Sequence, residues 1–246
     1  MGGAMPESQF ILETVDLTKR FGGVTAIDSV TLKVERGELR CLIGPNGAGK
    51  STFFKMLTAQ HRPTSGKILL NGTDITGWQT YRISGAGVGI KNQVPDVFDG
   101  LTAHENIWLA ASYFGRSAKP DHLVEESMTS LGITGLAYKR VGELAHGQRQ
   151  WVELAMVLTR NPSLVLLDEP TAGMSDDETA RTADLILELN KSRTIVVVEH
   201  DMQFIRRIAK TVTVFHQGRV LAEDTMSNIQ KNEMVRDVYL GRTAAA

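Results

Sequence analysis

The chain predicts an α/β fold: a parallel central sheet, an antiparallel β layer and a helical subdomain. Three observations point there. Gly44-Pro45-Asn46-Gly47-Ala48-Gly49-Lys50-Ser51-Thr52 fits G-x-x-x-x-G-K-[S/T] and lies between a strand-type run and a helix-type run. Leu164 to Leu167 is a continuous apolar run of strand length, the pattern of a strand buried on both faces, and Thr194 to Val198 reads as another buried strand. Both runs end in polar pairs, Asp168-Glu169 and Glu199-His200. Ligands of open parallel sheets collect at the C-terminal edge of the strands, so Ser51, Asp168, Glu169 and His200 are expected to converge there.

With 246 residues, 42% of them hydrophobic, the chain is long enough for one large domain with subdomains and too balanced for disorder. A formal net charge of -1 gives no general attraction to nucleic acid, and no nucleic-acid partner is expected. Cys41 is the only cysteine, which excludes an intramolecular disulfide and suits a reducing cytosol. Neither a signal peptide nor an apolar run of about 18 residues is found, so the chain is not expected to span a membrane. Met1 to Ala4 precede a second methionine, so residues 1–5 read as an appended leader or an alternative start. Residues 6–246 then read as a single domain with its helical subdomain at about 94–160.

From Phe10 to Val34 the pattern is mostly strand, with Val30, Leu32 and Val34 alternating with Thr31, Lys33 and Glu35. Phe21-Gly22-Gly23 interrupts it, and Phe21 taken alone reads as core. Glu38 to Gly44 supplies the strand before the glycine-rich loop, and Phe53, Met56 and Leu57 the buried face of the helix after it. Ile68 to Leu70 is expected to join the antiparallel layer. Thr102-Ala103-His104-Glu105 has the form of a capping box opening a helix towards Tyr113, and Asp121 to Leu131 is a second helix. Trp151, Leu154, Ala155 and Leu158 form the stripe of a third. Asp176 to Asn190 is expected to be helical, with Ala183, Ile186 and Leu187 on one face. Thr211 to Glu223 reads as a hairpin about Gln217-Gly218, Asn228 to Leu240 as a short amphipathic helix, and Thr243 to Ala246 as a frayed end.

The chemistry follows from residue type and spacing. Glycines let backbone N–H groups turn inward around phosphate oxygens, and the next helix presents its positive end to them. Lys50 can reach the β- and γ-phosphates, and the Ser51 hydroxyl can ligate Mg²⁺. Two adjacent carboxylates at a buried strand end are costly unless a cation or a reaction uses them, which singles out Asp168 and Glu169. Gln93 alone reads as a surface amide and His200 alone as a satisfied loop histidine.

Taken together, these stretches resemble the ATP-binding subunit of an ABC transporter over nearly the whole chain, and the fold is expected to be of the ABC ATPase type with a P-loop NTPase core. Gly44 to Thr52 resembles the Walker A loop, Leu164 to Glu169 the Walker B strand, Gln93 the Q-loop, Leu144-Ala145-His146-Gly147-Gln148 the signature, and His200 the switch histidine. The resemblance implies ATP and Mg²⁺ as ligands, with Phe21 on adenine, Lys50 and the loop amides on the phosphates, and Ser51, Gln93 and Asp168 at the metal. It implies Glu169 as the base acting on water, His200 at the γ-phosphate, and residues 144–148 closing on the nucleotide of a second, identical or paralogous ATPase. The signature departs from Leu-Ser-Gly-Gly-Gln at Ala145 and His146, and the amides of Gly147 and Gln148 are expected to retain most of the site.

A finer resemblance is to importers of the branched-chain amino acid and urea class, through His146-Gly147, Val196 to Met202 and Val238 to Gly241. Ala172 to Glu178 and Leu221 to Asp224 are most similar to the urea or short-chain amide branch. It implies two transmembrane permease subunits, a periplasmic or extracellular substrate-binding protein, and a peripheral position on the cytoplasmic face of the membrane. The alternative is a soluble ABC-type ATPase acting outside transport. That class usually carries a long coiled-coil insertion or two fused cassettes, neither of which is found here.

Overall fold

The computed structural model describes residues 8–113 and 119–240. Residues 1–5, Gly241 and the Thr243 to Ala246 end lie outside them. The chain opens with β1 (Phe10–Phe21), β2 (Val24–Glu35) and β3 (Leu39–Ile43), followed by α1 (Lys50–Leu57), β4 (Ser65–Leu70) and β5 (Thr73–Asp74). Next come α2 (Thr80–Gly85), β6 (Val88–Lys91), α3 (Ala103–Ser112), α4 (Pro120–Ser130), α5 (His146–Leu158) and β7 (Leu164–Asp168). The remainder is α6 (Asp176–Asn190), β8 (Thr194–Val198), α7 (Met202–Ile208), β9 (Thr211–His216), β10 (Arg219–Asp224), α8 (Met226–Lys231) and α9 (Glu233–Leu240).

Two sheets result. The antiparallel one has the order β2-β1-β4-β5, and the larger one β10-β9-β3-β8-β7-β6, parallel except for the β9–β10 hairpin. The continuous apolar runs form the interior strands of the larger sheet because both of their faces are covered. Along β7, Val165 and Leu167 enter the core shared with the helices, while Leu164 and Leu166 enter the core shared with the antiparallel sheet. On β8, Ile195 and Val197 divide from Val196 and Val198 in the same way. Phe53, Phe54, Met56 and Leu57 of α1 lie in the second core, so the helix after the glycine-rich loop is wedged between the sheets. Burying each such side chain contributes about 1.5–3 kcal/mol, which fixes the strand edge that carries the polar residues.

Local signals account for several boundaries. Thr102 caps α3, accepting from the Glu105 N–H at 3.1 Å while Glu105 Oε2 accepts from the Thr102 N–H at 2.7 Å. Gln217 and Gly218 have φ of 48° and 78°, the paired positive values that favour a two-residue hairpin turn. Two expectations need correction. Leu187 is 36% exposed, because the buried face of α6 runs through Thr182, Ala183, Ile186, Leu189 and Asn190 and a residue next to Ile186 is turned about 100° away. The tail forms two helices, because Asn232 Oδ1 accepts from the N–H of Met234 at 3.0 Å and of Val235 at 3.3 Å, starting a second helix.

Candidate functional site

The glycine-rich loop leaves β3 at Gly44, with φ of 152°, and enters α1 through Gly49, with φ of 104°. A Cβ on Gly44 would stand 2.3 Å from the Phe215 carbonyl oxygen, and one on Gly49 would stand 2.7 Å from that of Ala26. The cradle is therefore a backbone structure pressed against the hairpin and β2, with no room for side chains at these two positions. Lys50 folds back under it, donating to the carbonyls of Gly44 at 2.5 Å and Pro45 at 3.1 Å. Burial pulls the Lys50 pKa down, opposed by the charges of Glu169 and Asp168. Asn46, Gly47, Ala48, Gly49, Lys50, Ser51 and Thr52 line a cavity of about 370 Å³, together with Val24 to Ala26, Glu169, Gln217 and Gly218.

The strand ends bring Glu169 into the cavity wall and set the other polar residues around Glu169. Asp168, the last residue of β7, is 8% exposed, and its Oδ1 is buried with no hydrogen-bond donor. Burial, reinforced by the neighbouring Glu169 charge, pushes its pKa up to about 6. Glu169 follows in the left-handed region, with φ of 43° and its N–H bonded to the Val198 carbonyl at 2.9 Å. Holding a non-glycine residue there costs about 1–3 kcal/mol, and such strain clusters at functional sites. Gln93 Nε2 donates to Glu169 Oε2 at 2.8 Å, and His200 Nδ1 lies 3.6 Å from Glu169 Oε1. Lys50, Gln93, Asp168, Glu169 and His200 are thus drawn to one sheet edge.

One residue that positions this edge was named from the sequence only as part of a polar pair, without a role. Glu199 is 1% exposed and accepts from the N–H groups of His200 at 2.8 Å, Asp201 at 3.3 Å and Thr171 at 3.2 Å, as well as from the Thr171 hydroxyl. It ties the turn after Glu169 to the start of the His200 loop. The carboxylate at the end of β8 was visible in the sequence, but its partner lies 28 positions away.

The remaining expected residues lie elsewhere. Phe21, 44% exposed at the end of β1, meets His61 edge-on with ring centroids 5.3 Å apart, and Lys19 Nζ stands 4.8 Å from its ring centre. Val24 rather than Phe21 lines the cavity at the glycine-rich loop. Leu144 to Gln148 do not line it either; they form the N-terminal turn of α5 and its approach. Ala145 makes no side-chain cap, and Gln148 Oε1 accepts from its N–H at 3.3 Å. His146 packs over Gly173, where a Cβ would be 3.3 Å from the ring, and a Cβ on Gly147 would be 2.4 Å from Glu178 Oε1.

Residues 27–172 match the ABC transporter family. The chain belongs to that family. This ABC ATPase is 36% identical over 256 residues to the high-affinity branched-chain amino acid transport ATP-binding protein BraF of Pseudomonas aeruginosa, covering 95% of this chain and 99% of the relative. It is 33% identical over 252 residues to LivG of Escherichia coli K12, with the same description and coverage. A putative ribose/galactose/methyl galactoside import ATP-binding protein of Halalkalibacterium halodurans is 34% identical over 240 residues, covering 95% of this chain but 46% of that longer relative. The crystal structure of the ADP conformation of an ATP-binding cassette of an ABC transporter superposes with a TM-score of 0.86 at 26% identity, covering 95% of this chain and 100% of that one.

The ABC ATPase therefore has the P-loop fold of its family and is an ATP-hydrolysing enzyme, related to ATPases of branched-chain amino acid and sugar import. The family generally binds ATP and Mg²⁺. The residues here fit a hard cation: Asp168 Oδ1 is a buried acceptor with no donor, and it lies in a chain that also brings Ser51 and Gln93 to this edge. Among the described residues no helix is long and apolar enough to cross a membrane.

Proposed function

We propose that this ATPase powers uptake of a small solute, either branched-chain amino acids or urea and short-chain amides, through two separate permease subunits. It would sit peripherally on the cytoplasmic face of the membrane, paired with an identical or paralogous ATPase and served by a substrate-binding protein. The observation that carries the reading is the gathering of Lys50, Gln93, Glu169 and His200 about the loop of residues 44–52. The names of the relatives at 36% and 33% identity favour branched-chain amino acids, and the stretches Ala172 to Glu178 and Leu221 to Asp224 favour the amide branch.

Hydrolysis of ATP asks the protein mainly to position water and stabilise charge. The loop amides and Lys50 hold the phosphates. Ser51, Gln93 and Asp168 would hold Mg²⁺, which supplies charge neutralisation on the phosphate oxygens. Glu169 accepts the proton of the attacking water, and His200 contacts the γ-phosphate from the end of β8. The Gln93 amide can serve two neighbours: its Nε2 holds Glu169, and its Oε1 would be the atom available to Mg²⁺. Phe21 would stack on adenine after releasing His61. The signature of the partner, residues 144–148, would close the site, which agrees with their absence from the cavity wall of their own chain.

The test is uptake of labelled leucine and labelled urea, each at low concentration, by source cells lacking only this chain and by the same cells with it restored. Loss of one uptake assigns the branch. Loss of neither would remove the import reading while leaving the ATPase.

A further inference from the structure

We propose that one face of α5 positions the loop after β6 for catalysis, with Gln150 and the Lys91–Glu153 pair as positioning residues for Gln93 and Glu169. This rests on the assignment of Glu169 as the base.

Residues 146, 150, 153 and 157 follow i, i+4, i+7 and i+11, a single line along a helix. Each meets a different point of the chain beside it. Val157 lies against β6 at Gly89, where a Cβ would be 2.6 Å from Val157 Cγ1, so helix and strand backbone approach closely only because that residue is glycine. One turn on, Glu153 Oε2 pairs with Lys91 Nζ at 3.3 Å, their side chains 6% and 2% exposed. Glu153 Oε1 accepts from the Asp96 N–H at 3.2 Å, and Lys91 Nζ donates to the Asn92 carbonyl at 3.0 Å. Gln150, 1% exposed, donates from Nε2 to the Gln93 carbonyl at 3.4 Å. The same Nε2 stands 3.1 Å from His146 Nε2, whose ring covers Gly173.

The loop backbone is therefore held at residues 93 and 96 by one helix face and at residue 92 by Lys91, the partner of Glu153 on that face, while the Gln93 side chain holds Glu169 at 2.8 Å. A well-packed apolar pair would stabilise such a site as well as a buried ion pair does, because taking both charges out of water is costly. The polar pair adds direction: it fixes which backbone groups the helix grips. Gln150 shows the same preference for position over stability, since its Oε1 is buried without a donor while its Nε2 reaches the loop. Because α5 begins at the signature, a shift of that helix when the signature engages its partner would move the grip on Gln93 and so on Glu169. The phosphate cradle of residues 44–52 lies outside this set of contacts.

The experiment measures ATP turnover against ATP concentration for the full-length protein with Mg²⁺. Gln150→Leu removes the amide at nearly constant volume. Lys91→Met with Glu153→Leu replaces the ion pair by an apolar one, so the fold survives loss of the charges. Each variant is expected to lower kcat about tenfold with KM for ATP within about twofold of the parent, the split that marks a group acting on the transition state. Unchanged kcat in both variants, or a loss carried by KM alone, would overturn the proposal. Glu169→Gln is the control: if its turnover persists, the assignment of the base is what fails.

Discussion

The phosphate loop and the signature segment are both glycine-bearing turns at a helix start, yet they are built of different material. Residues 44–52 form a cradle of backbone, jammed against Phe215 and Ala26, in which the lysine folds inward. Residues 144–148 open a helix whose first positions carry little packing: Ala145 caps nothing, and His146 rests on Gly173. Only Gly147 is confined, by a Glu178 carboxylate that also serves as the capping partner of Ser175. A cradle of backbone tolerates no Cβ, whereas a helix start that presents N–H groups tolerates changes beside them. The departures at positions 145 and 146 fall on exposed residues of that helix start, while the first motif is intact.

The largest effect that would sharpen this contrast is at Gly44. Alanine there meets a carbonyl oxygen at 2.3 Å in a backbone region that L-residues rarely adopt, so Gly44→Ala is expected to lose about 3 kcal/mol or more and most nucleotide affinity. Denaturant melting and nucleotide titration check both. A variant of parental stability would mean that the loop is not held as described.

Next comes Asp168. Its raised pKa of about 6 means that the folded state binds this proton more tightly than the unfolded state does, so stability from this group falls as pH rises from about 4 to 6 and stays low above. Asp168→Asn, melted with a chelator present, is expected to gain on the order of 2 kcal/mol at pH 7.5 after allowance for solvent screening, and nothing at pH 4. Equal melting temperatures at pH 7.5 would show that the carboxylate is not strained by burial.

The smallest effect is expected at the signature. If Gly147 and Gln148 amides supply the site, Ala145→Ser changes turnover by less than about tenfold, below what a hydroxyl bond to a charged oxygen contributes. A larger gain would show that the hydroxyl matters and that the two regions are less different than described.

Much of this was legible in the sequence wherever a motif and a burial pattern agreed. The runs 164–167 and 195–198 read as two-sided strands because every position is apolar, and the polar pairs after them marked the site edge. The capping box at Thr102 and the hairpin at Gln217 were equally local. Side chains whose role depends on a distant partner were not legible. Glu199 looks like any strand-end carboxylate until Thr171 is placed on it, and Lys91 and Glu153 are ordinary charges until both are buried. The short strand β6 and helices α2 and α7 carry too few residues for a periodic signal. Leu187 was misplaced because the buried face of α6 centres on Ile186, and the next residue is turned about 100° from that centre.

The account stands most directly on Glu169, held by Gln93 and kept in a strained backbone conformation. The measurement is release of phosphate from ATP with Mg²⁺ by the parent and by Glu169→Gln, alongside nucleotide binding by each. The account predicts unchanged ATP binding with turnover lowered by about a hundredfold to ten-thousandfold, the range of general-base contributions. Parental turnover in Glu169→Gln would contradict it.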